Sequence, residues 1–351
     1  MSAASETGAP GGASRSRKAP SFLIVRLGSL GDIVHAIPAA AAVRAAFPDS
    51  RIDWLVDPRY MSLVEMVTAV SHAVPMDPRA GVIRLLATLR ELRRRDYSVA
   101  IDLQGLIKSA VLGRLSGADR VLGFTEKHLR EPMARVFYSD LHDAGDAPHV
   151  VHKNLALVSA LGIETGTPSF PLNVPRTSAA EAVEGRFAGA PFALINPGAA
   201  WPNKRWPPDR FGALAAAIRD RFGWPSLVLW GPREEALAHA VVAASSGAGV
   251  LAPSTTIVDL FGIAKAARIA ISGDTGPLHI AAAVGTPVVG LFGPTWAKRN
   301  GPWDARDVVV SRTTKCDCLY ERRCRRESPC IDDIQFEEAI EAVVQRVETR
   351  G

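Results

Sequence analysis

The sequence predicts an α/β protein of two doubly wound domains facing a cleft, and three observations carry that expectation. Short β-branched runs alternate with segments of helical spacing, as in domains built on parallel sheets. The alternation stops at the stretch "LNVPRTSAAEAVEGRFAGAP" and then restarts. The chain, at 351 residues, is longer than a single hydrophobic core usually serves. Apolar residues make up 47% and charged residues 22%, ordinary for a globular enzyme.

Taken in order, the opening "MSAASETGAPGGASRSRKAP" is too rich in Gly, Ser, Ala and Pro to bury a face. It also lacks the long apolar core of a secretory signal, so residues 1–20 are expected to be a disordered tail. "SFLIVRL" reads as a strand and "AIPAAAAVRAAFP" as the helix after it. "RIDWLVD" is a second strand, "VIRLLATLRELRRRD" a helix, and "YSVAIDLQG" a third strand stopping at Gln104-Gly105. The strandless stretch that follows places the first domain at 21–175. In the second, 176–335, "FALINPGAA" is a strand ending in a loop and "DRFGALAAAIRDRFG" a helix closed by Gly223. "PSLVLWGPREEALAHAVVAA" and "ARIAISGDTGPLHIAAAVGTPVVGLFGPT" repeat the strand, turn and helix order. Residues 336–351 form an amphipathic terminal helix.

No stretch approaches the ~18 uninterrupted apolar residues of a spanning helix. All four cysteines, Cys316, Cys318, Cys324 and Cys330, share one short segment. Both cores therefore lack a disulfide framework, which fits a reducing, cytoplasmic setting. Their spacing is not the usual pair of C-x-x-C knuckles, so free thiols and a structural zinc both stay open, with no other metal site in view. The formal charge of +5 is a mild basic excess. Arg322, Arg323, Arg325 and Arg326 form either a solvated loop or a patch for an anionic partner. Neither they nor "RELRRRD" are interleaved with aromatics as in single-strand binders, so no nucleic-acid partner is expected.

Chemistry concentrates at strand-to-helix turns, where ligands of such sheets lie. In "GDTGPLHIAAA", Pro277 is expected at the first helical position, where its missing N–H is harmless. Free amides from Thr275 to Leu278 and the helix dipole then form an anion site, with His279 adding a donor. The plain alternative is that Asp274 or Thr275 merely caps the helix. Lys204 lies in "NPGAAWPNKRWPPDRF", flanked by Trp201, Trp206 and prolines that would stiffen the loop. A cation so held can neutralise a departing diphosphate; the alternative is a solvated lysine. Glu234 in "WGPREE" can accept from ribose hydroxyls or simply favour a helix start. "RLGSLGDIVHAIP" satisfies neither G-x-G-x-x-G nor the Walker pattern, which argues against a nicotinamide-dependent dehydrogenase. It does place Asp32 at a helix start, where a carboxylate can take a proton from a sugar hydroxyl or only stabilise the helix. His35 follows one turn on.

Together "LIVRLGSLGDIVHAIPAAAAVR", "IDLQGLIKSA", "REP", "NPGAAWPNKRWP" and "SGDTGPLHIAAAVGTPVVGLFGPT" resemble the ADP-heptose–lipopolysaccharide heptosyltransferases. The resemblance covers roughly residues 22–345. It implies a GT-B fold: two Rossmann-like domains, the first holding the acceptor, the second the sugar nucleotide, and a C-terminal helix packing back. It also implies an inverting transfer of heptose from ADP-heptose to Kdo of the lipopolysaccharide inner core, with Asp32 as base. Lys204 is similar to the family's phosphate-contacting lysine and Glu234 to its ribose carboxylate. Asp274, Thr275, Gly276 and His279 match its nucleotide-sugar loop; Gly31, Gln104, Lys108 and Arg130 fall on its acceptor side. No cofactor is implied. The partners are the sugar nucleotide and an anionic lipid-linked saccharide, met by a cytoplasmic enzyme at the inner face of the membrane. The N-terminal motifs look like the first transferase of the core, and the Gly198-Ala199-Ala200 loop like the second; an anion-binding module without catalysis is the remote alternative.

Overall fold

The structure, a computed structural model, describes residues 19–77 and 79–349. Residues 1–18 of the expected tail lie outside the described residues.

The first unit runs β1 (Ser21–Val25), α1 (Leu30–Ala46), β2 (Arg51–Val56), α2 (Met61–Glu65), β3 (His72–Pro75), α3 (Val82–Arg94), β4 (Val99–Asp102), α4 (Ile107–Leu115), β5 (Arg120–Phe124), β6 (Asp140–His142) and α5 (Val150–Ser159). A 3₁₀ turn at Pro132–Phe137 lies between β5 and β6. The second unit begins with α6 (Ser178–Phe187) and continues β7 (Ala193–Asn196), α7 (Pro208–Phe222), β8 (Ser226–Val228), α8 (Glu235–Ala244), β9 (Gly249–Leu251), α9 (Ile257–Ala266), β10 (Ile269–Gly273), α10 (Gly276–Ala283), β11 (Val288–Phe292), α11 (Ala297–Asn300), β12 (Val308–Ser311) and α12 (Phe336–Glu348).

Each unit holds one six-stranded sheet, ordered β3-β2-β1-β4-β5-β6 and β12-β11-β10-β7-β8-β9. Every pairing between named strands is parallel. Parallel strands need a crossover, and covering helices make both faces apolar; accordingly β1, β4, β7, β10 and β11 are buried along their whole length. Both switch points, β1/β4 and β10/β7, open at the carboxyl edges of their sheets, where the sequence placed its motifs.

The strandless stretch after residue 172 contains a helix that the sequence reading did not anticipate. Thr177 caps α6, its Oγ1 accepting from the Ala180 amide, and Ala180 and Val183 turn inward against α9. Four small residues in its first turns and Gly185 in its last weaken its hydrophobic signature. The terminal helix α12 packs back onto the second unit, against α7, β11 and β12. Arg346, buried on its inner face, donates to Asp307 Oδ1 at 2.6 Å.

One hydrophobic core runs from the first sheet through α1 and α2 into α9, α10 and one face of the second sheet; a smaller core lies under α7, α8 and α12. The two units thus share buried apolar surface. At its centre the N-terminal turns of α1 and α10 meet, and two glycines permit the approach. A Cβ on Gly31 would sit 2.4 Å from the His279 ring, and one on Gly276 would sit 2.4 Å from Leu30 Cδ2. Gly31→Ala should therefore lower the unfolding free energy by about 1–3 kcal/mol, measured by denaturant titration. Gly185→Ala, whose Cβ meets nothing within 4 Å on the outside of α6, should be neutral or stabilising by up to about 1 kcal/mol.

Candidate active site

The turn after β1 is held rigidly before it reaches Asp32. Gln104 Oε1 accepts from the Leu27 amide at 2.8 Å, so this side chain, expected on the acceptor side, braces the turn. Ser29 caps α1, and Asp32 at the third helical position reaches back to it. The Ser29 amide and hydroxyl donate to Asp32 Oδ2 at 3.1 and 2.9 Å. Arg26 Nη2 meets the other oxygen at 2.6 Å. Burial pushes the carboxyl up, but Arg26, the two Ser29 donors and Arg299 together hold it below the ordinary aspartate value. Asp32 is ionised at neutral pH.

Sequence reasoning passed over Arg26. Its position at the end of a buried strand was the available signal, because a guanidinium there must find partners within the protein. Nη1 donates to the Leu103 carbonyl at 2.5 Å while Nη2 takes Asp32.

Across the interface, Lys204 Nζ donates to Asp274 Oδ2 at 2.7 Å and stands 4.5 Å from the centroid of the Trp201 ring. His279 Nε2 lies 3.3 Å from the other Asp274 oxygen. Burial again raises this carboxyl, and His279 and Lys204 more than reverse the effect, leaving it far below the ordinary value. Of the two tryptophans expected to flank the lysine, Trp201 does so. Trp206 turns away into the core, donating to the Ile334 carbonyl.

Thr275 is the N-cap of α10 by position, yet its hydroxyl is engaged elsewhere, with Asn196 Nδ2 at 3.0 Å and Ser272 Oγ at 2.9 Å. No side chain caps this helix, so its first amides stay free for a ligand. The helix begins at Gly276, which puts Pro277 at its second position rather than its first. Glu234 accepts from the Gly231 amide at 3.2 Å and faces Arg205 at 3.4 Å. A Cβ on Gly198 would lie 2.1 Å from Glu234 Oε2; this glycine lets the carboxylate approach the loop after β7.

The structure brings Gly31, Asp32, Lys204, Asp274, Gly276 and His279 to one seam between the units. Lys108 and Arg130 are exposed at the same carboxyl edge of the first sheet and touch none of these groups. His35, buried in the seam, packs edge-on against His279 with centroids 4.3 Å apart and against His149 at 5.6 Å. His149 joins the units: Nδ1 accepts from the Val151 amide at 3.1 Å, and Nε2 meets the Gly301 carbonyl at 2.7 Å. Both ring nitrogens are thereby satisfied in the neutral tautomer. Burial and the neighbouring imidazoles push the His35 value well below the ordinary one. Burial takes His149 down to about 4 despite the Gly301 bond.

The four cysteines form no disulfide and gather in one loop, with Cys318 Sγ 3.3 Å from Cys324 and 3.7 Å from Cys316. Among the described residues no group of three or more histidine, cysteine or acidic side chains is set to hold a metal ion. A structural zinc therefore rests on the spacing alone. The same loop braces Lys204 from behind, the Glu321 carbonyl accepting from Asn203 Nδ2 at 2.9 Å. Among the described residues, no helix is long and apolar enough to cross a membrane.

Two parallel-sheet units with ionised groups converging between them are the arrangement of a GT-B glycosyltransferase. Residues 85–328 match glycosyltransferase family 9 (heptosyltransferase). Lipopolysaccharide heptosyltransferase 1 of Pseudomonas aeruginosa is 29% identical over 312 residues, 86% of each chain. Lipopolysaccharide heptosyltransferase 3 of Escherichia coli is 23% identical over 78% of this chain and 83% of that one. Among solved structures, a family 9 glycosyltransferase of Veillonella parvula superposes with a TM-score of 0.80 at 18% identity, over 94% of this chain and 98% of that one. The Escherichia coli heptosyltransferase WaaC with ADP-2-deoxy-2-fluoro heptose gives 0.73 at 22% identity, over 94% and 100%. The chain belongs to glycosyltransferase family 9, the heptosyltransferases, and is a glycosyltransferase.

A folded-state histidine value below the unfolded one adds stability above the unfolded value and loses it as the pH falls toward the folded one. Between pH 7 and pH 5, His149, at about 4 in the fold, should cost about 2 kcal/mol of unfolding free energy. Denaturant midpoints at both pH values test this; His149→Gln should flatten that part of the slope.

Proposed function

We propose that the protein transfers heptose, with inversion, from ADP-heptose to Kdo of the lipopolysaccharide inner core. The observation that carries this reading is the convergence of Asp32 from one unit with Lys204, Asp274 and the uncapped start of α10 from the other. The relatives' names, and the ADP-sugar analogue in WaaC, support the donor and the pathway.

In this mechanism the acceptor hydroxyl oxygen attacks the anomeric carbon while the bond from that carbon to the diphosphate oxygen breaks. Asp32 takes the hydroxyl proton. Being ionised at neutral pH, it is ready as a base, and the Ser29 and Arg26 contacts fix its orientation. The electron pair leaves on ADP. Lys204 turns from Asp274 to the diphosphate, and the free amides at Thr275 and Gly276 meet the same charge. A fixed cation and a helix N-terminus thus supply the charge compensation that a divalent cation can supply in other transferases, and no cofactor is assigned. Asp274, released from Lys204, faces the sugar hydroxyls, and Glu234 accepts from the ribose. The shared apolar interface excludes water and limits hydrolysis of the donor.

Release of ADP from ADP-heptose, with Kdo-terminated lipid A or an already heptosylated core as acceptor, tests the reading. Acceptor-dependent release should be seen with the Kdo acceptor. Release with the heptosylated core alone would move the assignment to a later transferase of the same pathway. Asp32→Ala should lower kcat by about 10²–10⁴-fold with ADP affinity retained; unchanged turnover would remove Asp32 as base. Lys204→Ala should lower turnover by about 10²-fold, and intact kinetics would take it out of the site.

A further inference from the structure

Of ten large hydrophobic side chains exposed among the described residues, eight belong to the first unit. Six of these, Val82, Ile83, Leu86, Ile107, Met133 and Val136, lie on three segments that the topology brings to one edge. Helix α3 leads into β4 and α4 leads out of it, both running against the strands, so both start at the carboxyl edge of the sheet. Arg93 in the last turn of α3 donates Nε to the Leu115 carbonyl at the end of α4, which sets the two helices side by side in the same direction. The turn at Pro132–Phe137 follows the carboxyl end of β5 and packs on α4, and the Ile107 amide donates to Glu131 Oε2 at 2.8 Å. Ile83 is 86% and Val82 70% exposed, Met133 62% and Val136 60%. Isolated exposed apolar residues are normal, but a group of this kind at one edge marks a contact surface.

Its charge says what it meets. Arg120, Lys127 and Arg135 on the same unit are paired with Asp140, Asp143 and Glu126. Arg84, between the apolar residues of α3, and Lys108 and Arg130 beside Ile107 and Met133 are exposed and carry no ion pair among the described residues. A ridge of apolar side chains interleaved with unpaired cations repels its own copy and complements an anionic lipid surface. The same edge carries the Asp32 turn.

We propose that this ridge seats the first unit on an anionic bilayer. The apolar side chains enter the headgroup layer and the cations meet its phosphates. The acceptor cleft is thereby held over the membrane that presents a lipid-linked saccharide. The proposal rests on the lipid-linked acceptor proposed above.

The test is sedimentation of the full-length protein with vesicles of phosphatidylethanolamine and phosphatidylglycerol, and with neutral phosphatidylcholine vesicles, no acceptor being present. The wild type should partition at least tenfold more strongly into the anionic vesicles. Ile83→Glu and Val136→Glu, both on exposed positions clear of the site, should each reduce that partition at least tenfold. Their kcat/KM on a deacylated, water-soluble acceptor should not change, while turnover on vesicle-embedded acceptor falls in parallel with partition. Wild type that ignores anionic vesicles, or variants that bind them as well as wild type, overturns the proposal. So does a wild-type dimer that Ile83→Glu dissociates while vesicle binding is unaltered, which would give the ridge to a second copy. Loss of the function reading is separately visible, as absence of transfer to the soluble acceptor with vesicle partition still measured.

Discussion

The close approach of α1 and α10 governs the rest of this molecule. Two helix starts with positive dipole ends face each other across the seam, near enough that neither Gly31 nor Gly276 leaves room for a methyl group. Two helix N-termini alone would repel. Each instead carries a carboxylate beside it, half-buried Asp32 on one side and buried Asp274 on the other, and each carboxylate has its own cation, Arg26 and Lys204. Desolvating these ions is costly, and it is the hydrogen bonds around them that make their burial tolerable. The charges proposed for the chemistry are therefore also the charges that sit where the two units meet.

This gives the Lys204–Asp274 pair a double character. Without donor it satisfies two groups that would otherwise be buried and unpaired. With a diphosphate at the uncapped end of α10, the lysine has a stronger partner in reach, and exchange of partners costs little because every group stays paired throughout. Trp201 beneath the ammonium and the cysteine-bearing loop behind Asn203 keep that lysine from wandering in either state. The imidazoles of the seam play a quieter part. His35 and His149 fill it with rings that are neutral at neutral pH, and His149 adds a hydrogen bond between the units without adding to the positive potential there.

The exposed apolar ridge of the first unit fits the same logic from outside. The sheet's carboxyl edge is where helix starts, turns and free amides collect, so it is the side on which a ligand or surface can be met. The second unit, by contrast, covers its sheet with α7, α8 and α12 and leaves large apolar side chains exposed mainly at Trp296 and Tyr320.

Local pattern was enough for much of this. The alternation of strands and helices, the restart after the linker, the Gly223 stop, and the turns bearing Asp32, Lys204, Glu234 and Asp274 are written in short stretches of sequence, because hydrophobic period and turn chemistry act over a few residues. Helix α6 was not legible, since its small residues give little apolar contrast and only α9 defines its inner face. Nor were the short outer strands, which take their register from neighbours. Above all, the sequence by itself determined which chemical groups stand at helix starts, but not which of them meet. That Arg26 holds Asp32, that Gln104 braces the turn, that His149 ties to Gly301, and that Lys204 sits on Asp274 were decided only by the tertiary structure. Except for Arg26 and Asp32, which share one turn, these pairs join residues distant in sequence, and their contact depends on how the strands and helices are packed in three dimensions.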